Sequence, residues 1–373
     1  MKLLHTADWQ IGKPFGGFEP DDAVLLTAAR IETVKEIATV AAREACDAVL
    51  VAGDVFDAQT VSDKTIHQTF SALSAFSGPW VFLPGNHDAA LVESVWSRAK
   101  RLAAIPPNAI LCLTPEPTPL LDGKAVILPA PLTQRNTYED VTQWFAGHES
   151  PAGVIRIGLA HGSVQGILPD TIDSPNPIAQ GRAEEARLDY LALGDWHGMK
   201  CVDARTWYSG TPETDRFSSS DPGHVLIVEI RAGQEPGVNP IPIGRHPWVE
   251  VDHRITVPSD IDNLDNILVG APEHAVLSVK VSGSTDLASQ ARIRATIARA
   301  QGRARALRFD LSGLQVLPSQ EDLDALRADG YLADTITQLR QEQETGSDPA
   351  LARDALVLLA TTMRSVGTQE AQA

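Results

Sequence analysis

Short runs of uninterrupted apolar residues alternate with longer, periodically apolar segments through the first two hundred residues. The runs DAVLVAGDVFD, WVFLPGNHD, VIRIGLAHGS and DYLALGDWHG are mainly apolar, Arg156 being the one charged residue inside a run, and then stop at a Gly-polar or His-Gly pair. Such runs predict strands buried on both faces. Between them, residues 21–45 carry Val24, Ile31, Val34, Ile37 and Ala41 at roughly helical spacing, and residues 61–76 predict a second helix. Strands alternating with helices predict α/β layering around a central sheet. From about 205 to 245 the segments WYSG, HVLIVEI and VNPIPIG predict strand-rich material that closes a first domain over residues 1–245.

Beyond that point the rhythm shortens. WVEVDHRITV, DIDNLDNILVG, AVLSVKVSG, STDLASQARIRATIARAQG and ALRFDLSG predict strand, helix, strand, helix, strand, a small α/β module over residues 246–318. Residues 319–373 predict a helical, charged tail, in which Leu351, Leu356, Leu359 and Met363 share one helical stripe. That stripe can pack on its own domain or dock on a partner helix.

Composition narrows the picture. A chain of 373 residues is too long for one small core. With 43% hydrophobic and 21% charged residues it has the make-up of an ordinary globular protein. No segment approaches the ~20 apolar residues needed to cross a bilayer. The N-terminus has one lysine, a short apolar run and an aspartate, unlike a signal peptide. Cys46, Cys112 and Cys201 are scattered and form no CxxC pair, as in a reducing compartment, so the expectation is a cytoplasmic protein without membrane contact. The net charge of −17 argues against a protein that coats nucleic acid unaided.

The candidate chemistry lies where the apolar runs end. In order come Asp8-x-Gln10, GDVFD (Gly53 to Asp57), GNHD (Gly85 to Asp88), His161-Gly162 and GDWH (Gly194 to His197). Five strands thus deliver a candidate ligand at their carboxyl ends, where open α/β sheets bind ligands. Oxygen and imidazole donors suit Mn, Fe, Zn or Mg, and no thiolate takes part.

This ordered set, with the YSGTPE segment that follows, resembles the calcineurin-like metallophosphoesterase superfamily. Within it the chain is most similar to SbcD-type nuclease subunits, which work with an SMC-like coiled-coil ATPase on DNA ends. The resemblance implies a sandwich of two sheets flanked by helices, a small α/β capping domain that binds DNA, and a C-terminal region that docks the ATPase. It implies two divalent ions, Mn foremost, bridged by Asp54. Asp8, Gln10 and His197 face one ion; Asn86, His161 and Asp195 face the other. It implies that His87 donates a proton or hydrogen bond to the leaving alkoxide, that Asp88 orients the His87 ring, and that the assembly is a homodimer. Asp57 is expected to support the Asp54 loop.

Two positions depart from the family, which has histidine where this chain has Gln10 and Asp195. Decay to an inactive domain is the alternative, but both replacements still offer an oxygen ligand. Three carboxylates, Asp8, Asp54 and Asp195, shift the preference toward harder ions such as Mn or Mg.

His5, inside the first strand, is expected to be a buried, hydrogen-bonded histidine, and Trp9 and Trp196 to pack at the sheet rim. Six arginines and no acidic residue lie between Leu287 and Phe309. Arg292, Arg299 and Arg303 fall on one helical face, either a solvated surface or a phosphate-contacting one. Three functions remain open: a DNA nuclease subunit, a general phosphoesterase on nucleotides or phosphoproteins, and a scaffold that binds without cutting.

Overall fold

The computed structural model describes residues 1–166, 175–217, 221–319, 322 and 330–370. The chain divides into two compact units, Met1–Pro247 and Trp248–Ala373. In the first, β1 (Lys2–Thr6), α1 (Pro20–Arg43), β2 (Ala48–Ala52), α2 (Asp63–Ser71), β3 (Trp80–Leu83), α3 (Val95–Arg101) and β4 (Ala109–Leu111) come first. There follow β5 (Thr118–Leu120), β6 (Ala125–Ala130), β7 (Ile155–His161), β8 (Ser163–Val164), β9 (Pro177–Ile178), α4 (Arg182–Glu185) and β10 (Tyr190–Gly194). The unit closes with β11 (Lys200–Cys201), β12 (Thr206–Tyr208), β13 (His224–Glu229) and β14 (Gly237–Pro242).

Two six-stranded sheets form, in the orders β14-β13-β1-β2-β3-β4 and β11-β12-β10-β7-β6-β5. The inner strands β1 to β4 run parallel, as do β6, β7, β10 and β12, so within each sheet their carboxyl ends lie at one edge. The period of two along each strand assigns side chains to layers. Ala48, Leu50 and Ala52 join Val81, Leu83, Ile157 and Leu159 between the sheets, whereas Val49, Val51, Trp80 and Phe82 face α1 to α3. On the outer side of the second sheet, Ala160, Leu191 and Leu193 pack with Phe145 and Ala183. The result is the expected layered α/β sandwich of two sheets flanked by helices.

Helix α1 begins with Pro20 followed by Asp21 and Asp22, a favourable first turn, and has Arg43 in its last. Its core stripe differs from the one the apolar pattern predicts. Val24 is 67% exposed, and the stripe runs through Leu26, Arg30, Thr33, Val34, Ile37 and Ala41. Two polar residues occupy core positions because polar partners await them: Arg30 donates to the Asp8, Trp9 and Glu213 carbonyls, and Thr33 Oγ1 to the Glu213 carboxylate.

In the second unit, β15 (Trp248–Ile255), α5 (Ser259–Gly270), β16 (Val276–Thr285), α6 (Leu287–Gln301) and β17 (Ala306–Val316) make the βαβαβ module, its three strands all parallel. Asp286 caps α6 by accepting from the Ser289 amide at 2.6 Å. Ile293, Ile297 and Ala300 of α6 and Ile261, Leu264 and Leu268 of α5 bury against Val251, Leu277, Val279 and Leu307. Helices Gly330–Thr345 and Pro349–Glu370 pair through Ile336 and Leu356, with Leu339 and Leu359 beside them. Part of the predicted stripe therefore packs at home, while Leu351 is 66% exposed. The predicted helical pattern across 323–329 lies outside the described residues. Among the described residues no helix is long and apolar enough to cross a membrane.

Candidate metal centre

The loops after β1, β2 and β10 turn through left-handed backbone at Asp8 (φ 54°), Gln10 (φ 48°), Asp54 (φ 54°) and Asp195 (φ 101°). Non-glycine residues rarely adopt this region, and such strain concentrates at functional sites. The strained loops are tied together: the Asp8 amide donates to Gly53 O, and the Gln10 amide to Asp54 O, each at 3.0 Å. The motif glycines serve close approach. A Cβ on Gly85 would stand 2.2 Å from Asp54 Oδ1, and one on Gly53 (φ +91°) 2.2 Å from His161 Nδ1.

Ligand atoms of Asp8, Asp54 and His161 all lie within 4.8 Å of one another, and all three residues are buried. Asp195 joins them: its carboxylate is 3.7 Å from His161 Nε2, and its amide donates to both oxygens of Asp8 at 3.1 and 3.2 Å. Gln10 Nε2 donates to Asp54 Oδ2 at 2.7 Å. A carboxylate can only accept, so this contact fixes the amide orientation and leaves Oε1 as the free end. His161 Nδ1 donates to the Ala52 carbonyl at 2.9 Å, leaving Nε2 toward Asp54 and Asp195.

Two acceptor atoms of this centre, Gln10 Oε1 and Asn86 Oδ1, and the ring nitrogen His161 Nε2 are buried without a hydrogen-bond partner. Buried polar atoms are nearly always satisfied, and an ion is one of the few explanations for several orphans together. The donor set fits divalent cations that accept oxygen and imidazole. Protonation equilibria agree. Burial, then Asp54 and Asp195, raises the Asp8 carboxyl to about 6, against the pull of His197 and His161. Burial likewise raises Asp195, with Asp54 adding to it and the histidines opposing. Burial alone would lower His161, but Asp54, Asp8, Asp195 and the Ala52 carbonyl overcome it and lift the ring to about 9. A cation bound there displaces that proton.

His197 is set by a residue that the sequence motifs did not reveal. Its Nδ1 is 3.1 Å from Asp215 Oδ2, whose carboxylate also holds Lys13 Nζ at 2.6 Å. Burial would raise Asp215, but His197, Arg30 and Lys13 hold it well below the usual carboxylate range. The arrangement leaves His197 Nε2 as the nitrogen available for a ligand role, with a carboxylate behind it. Asp215 sits seven residues beyond Tyr208 in YSGTPETD, with no spacing signal of its own.

One expectation needs correction. Asp88 does not orient His87. Its oxygens accept from the Gly85 amide at 2.7 Å and the Phe56 amide at 3.1 Å, stitching the GNHD loop to the GDVFD loop. Burial, then Asp54, raises this carboxyl to about 7. The His87 ring is held by the Asp57 carbonyl at 2.8 Å from Nδ1, so Asp57 acts through its backbone. On α6 the two alternatives for the arginines stay open, and the observed partners favour a solvated face. Arg292 pairs with Asp262 and Arg299 with Asp265, each at 2.7 Å, and Arg303 donates to the Val269 carbonyl at 3.2 Å. Both acidic partners come from α5, so two of the six arginines in the run are compensated in space. His5 is as expected: buried between Tyr190 Oη (2.9 Å) and Leu193 O (3.2 Å), and lowered by burial to about 3. Trp9 packs edge-on against Trp80 and Phe82 beneath the Asp8 loop, and Trp196 lies under Lys200 Nζ, 4.8 Å from the ring centroid.

A strand-end cluster of carboxylates, amides and imidazoles with acceptors lacking donors is the make-up of a phosphoester-hydrolysing metal centre. Residues 1–228 match the family model of calcineurin-like phosphoesterases, and the chain belongs to that family. It is accordingly a metal-dependent phosphoesterase. Its relatives include a Bacillus subtilis (strain 168) protein named as the D subunit of the nuclease SbcCD, 27% identical over 279 residues, or 63% of this chain and 68% of the relative. A protein of the same name from Rhodobacter capsulatus is 34% identical over 95 residues, 24% of this chain and 22% of that one. The crystal structure of TT1561 of Thermus thermophilus aligns with a TM-score of 0.41 and 11% identity, covering 65% of this chain and 98% of that one.

Proposed function

We propose that this chain is the nuclease subunit of a DNA-processing assembly, hydrolysing phosphodiester bonds at DNA ends with two divalent ions, Mn foremost. The observation that carries the reading is the group of unpartnered buried acceptors around Asp54, on a chain similar over 63% of its length to a nuclease subunit. Asp8, Gln10 and His197 would hold one ion and Asn86, His161 and Asp195 the other, with Asp54 available to both. Such a pair of ions supplies polarisation of the phosphate and an acidified water.

The chain's own residues then divide the work. The Asp57 carbonyl fixes the His87 tautomer with its proton on Nδ1, so Nε2 carries a proton only when the ring is cationic. In that form Nε2 donates to the departing alkoxide oxygen. The backbone of His87 meanwhile donates to Asp54 Oδ1 at 2.9 Å, so proton donor and shared ligand keep a fixed separation. Asp215 keeps the His197 ring oriented. The relatives' designation as one subunit of a nuclease supports a partner, which the sequence resemblance makes an SMC-like coiled-coil ATPase, with a homodimer of this chain. Cys46, Cys112 and Cys201 are free thiols, which suits a cytoplasmic protein.

A second reading, a phosphodiesterase for small substrates, is favoured by the ion pairs that occupy Arg292 and Arg299. Mn-dependent digestion of linear single- and double-stranded DNA, beside a small phosphodiester, separates the two. Wild type is expected to cut DNA, and His87→Ala to bind Mn equally while turning over about 10²–10⁴-fold more slowly. Rapid hydrolysis of the small ester with neither DNA form cut would sink the nuclease reading.

A further inference from the structure

We propose that Arg30 is a positioning residue for one of the two ions: it holds the strained Asp8–Gln10 turn in its ligating form, and its loss selectively weakens the ion held by Asp8, Gln10 and His197. This rests on the two-ion reading of the centre.

Arg30 is 1% exposed and enters from α1 directly beneath the turn. Its Nε donates to the Trp9 carbonyl at 2.5 Å and one terminal nitrogen to the Asp8 carbonyl at 3.2 Å. That nitrogen also meets Thr211 Oγ1 at 2.9 Å, and the other donates to the Glu213 carbonyl at 3.0 Å. One planar group therefore grips two chain segments. The first is the turn whose residues Asp8 and Gln10 both adopt left-handed backbone. The second is the Thr211–Glu213 stretch, two residues before the Asp215 that orients His197.

The turn's outward amides are already bonded to the Asp54 loop, at Gly53 O and Asp54 O. Arg30 meets the Asp8 and Trp9 carbonyls of the same turn. Without those donors the Trp9 carbonyl would lose its partner and the Asp8 carbonyl would keep only Thr211 Oγ1, at 2.8 Å, so the turn would relax toward ordinary backbone, carrying Asp8 and Gln10 off the ion. The four contacts end on neutral oxygens, so the guanidinium also stands as a fixed positive charge among Asp8, Asp57, Glu213 and Asp215. A lysine keeps the charge but lacks the rigid fork that reaches four acceptors. By contrast, the Asn86, His161 and Asp195 loops have no contact with this group among its hydrogen bonds.

Mn titration calorimetry on the full chain tests the proposal. His197→Asn and His161→Asn mark which binding phase belongs to which ion. Arg30→Lys and Arg30→Met are expected to weaken the phase that His197→Asn removes by about 10- to 100-fold, Met more than Lys, and to leave the other phase at wild-type affinity. Thr211→Val, a smaller change, should weaken the same phase to a lesser degree, and it carries the test if Arg30→Met does not fold. Wild-type affinity for both phases in the variants, or equal loss of both in a folded variant, overturns the role of Arg30. If wild type itself binds fewer than two Mn ions per chain, it is the two-ion reading that fails.

Discussion

The acidic metal centre and the arginine-bearing helix α6 carry charge of opposite sign, and the fold treats them in opposite ways. On α6, Arg292 and Arg299 each find a carboxylate of α5 at 2.7 Å, with side chains half-exposed or more on the arginine side. At the centre, Asp8, Asp54 and Asp195 are packed together, and among the described residues no lysine or arginine forms an ion pair with them. Their contacts are histidines, an amide and backbone N–H groups. Exposed ion pairs contribute about 0–1 kcal/mol, so the α6 pairs are ordinary surface chemistry. Close-packed carboxylates whose nearest positive partner is a single imidazole are costly, and they persist where a further cation completes them. The conspicuous charge run was thus the less informative of the two.

The largest way to break this contrast is to remove the shared carboxylate. Asp54→Asn should abolish Mn-dependent hydrolysis and weaken Mn binding by more than about 100-fold, beyond what changes behind the ligands cost; calorimetry with retained Mn would show that the cluster does not need its cation. Next, Asp215→Asn should weaken Mn binding by about 10- to 100-fold, because His197 loses the carboxylate behind it. Unchanged affinity would separate His197 from the centre.

A smaller effect is a pH dependence of stability. His5 is lowered to about 3 in the fold from 6.5, so it is neutral when folded, and its contribution is intact above pH 6.5. As pH falls from 6.5 toward 3 the unfolded state takes up the proton first, and stability drops with a slope approaching about one proton per molecule. Denaturant midpoints measured for wild type and His5→Gln should diverge over that window, and parallel curves would contradict the buried neutral ring. The smallest effect is expected on α6. Arg299→Ala should change stability by less than about 1 kcal/mol and DNA affinity little. A several-fold loss of DNA affinity would restore α6 as a phosphate-contacting face.

Much of the centre was legible because two rules coincide. Period-two burial marks the strands, and parallel strands present their ends together, so the order of the motifs put candidate ligands at strand ends, and the resemblance picked Asp8, Asp54, Asn86, His161 and Asp195 among them. What escaped depends on partners remote in sequence. The carboxylates that meet Arg292 and Arg299 are 30 and 34 residues away on α5, outside any local window. Asp88 bonds backbone amides, which leave no trace in side-chain spacing. Helix α1 misled for a physical reason: its core stripe includes Arg30 and Thr33, and Thr33 Oγ1 donates to buried Glu213 at 2.6 Å. A polar pair between Leu26 and Ile37, at positions where apolar residues were due, was the available signal.

The Gln10 amide has a consequence for competition at the site. An imidazole beside Asp54 could capture a hydrogen ion in mildly acidic solution and so contend with a metal for the same place. A carboxamide has no such proton to gain or lose, and its Nε2 already tethers Asp54 at 2.7 Å. At this position the side chain itself is indifferent to acidity.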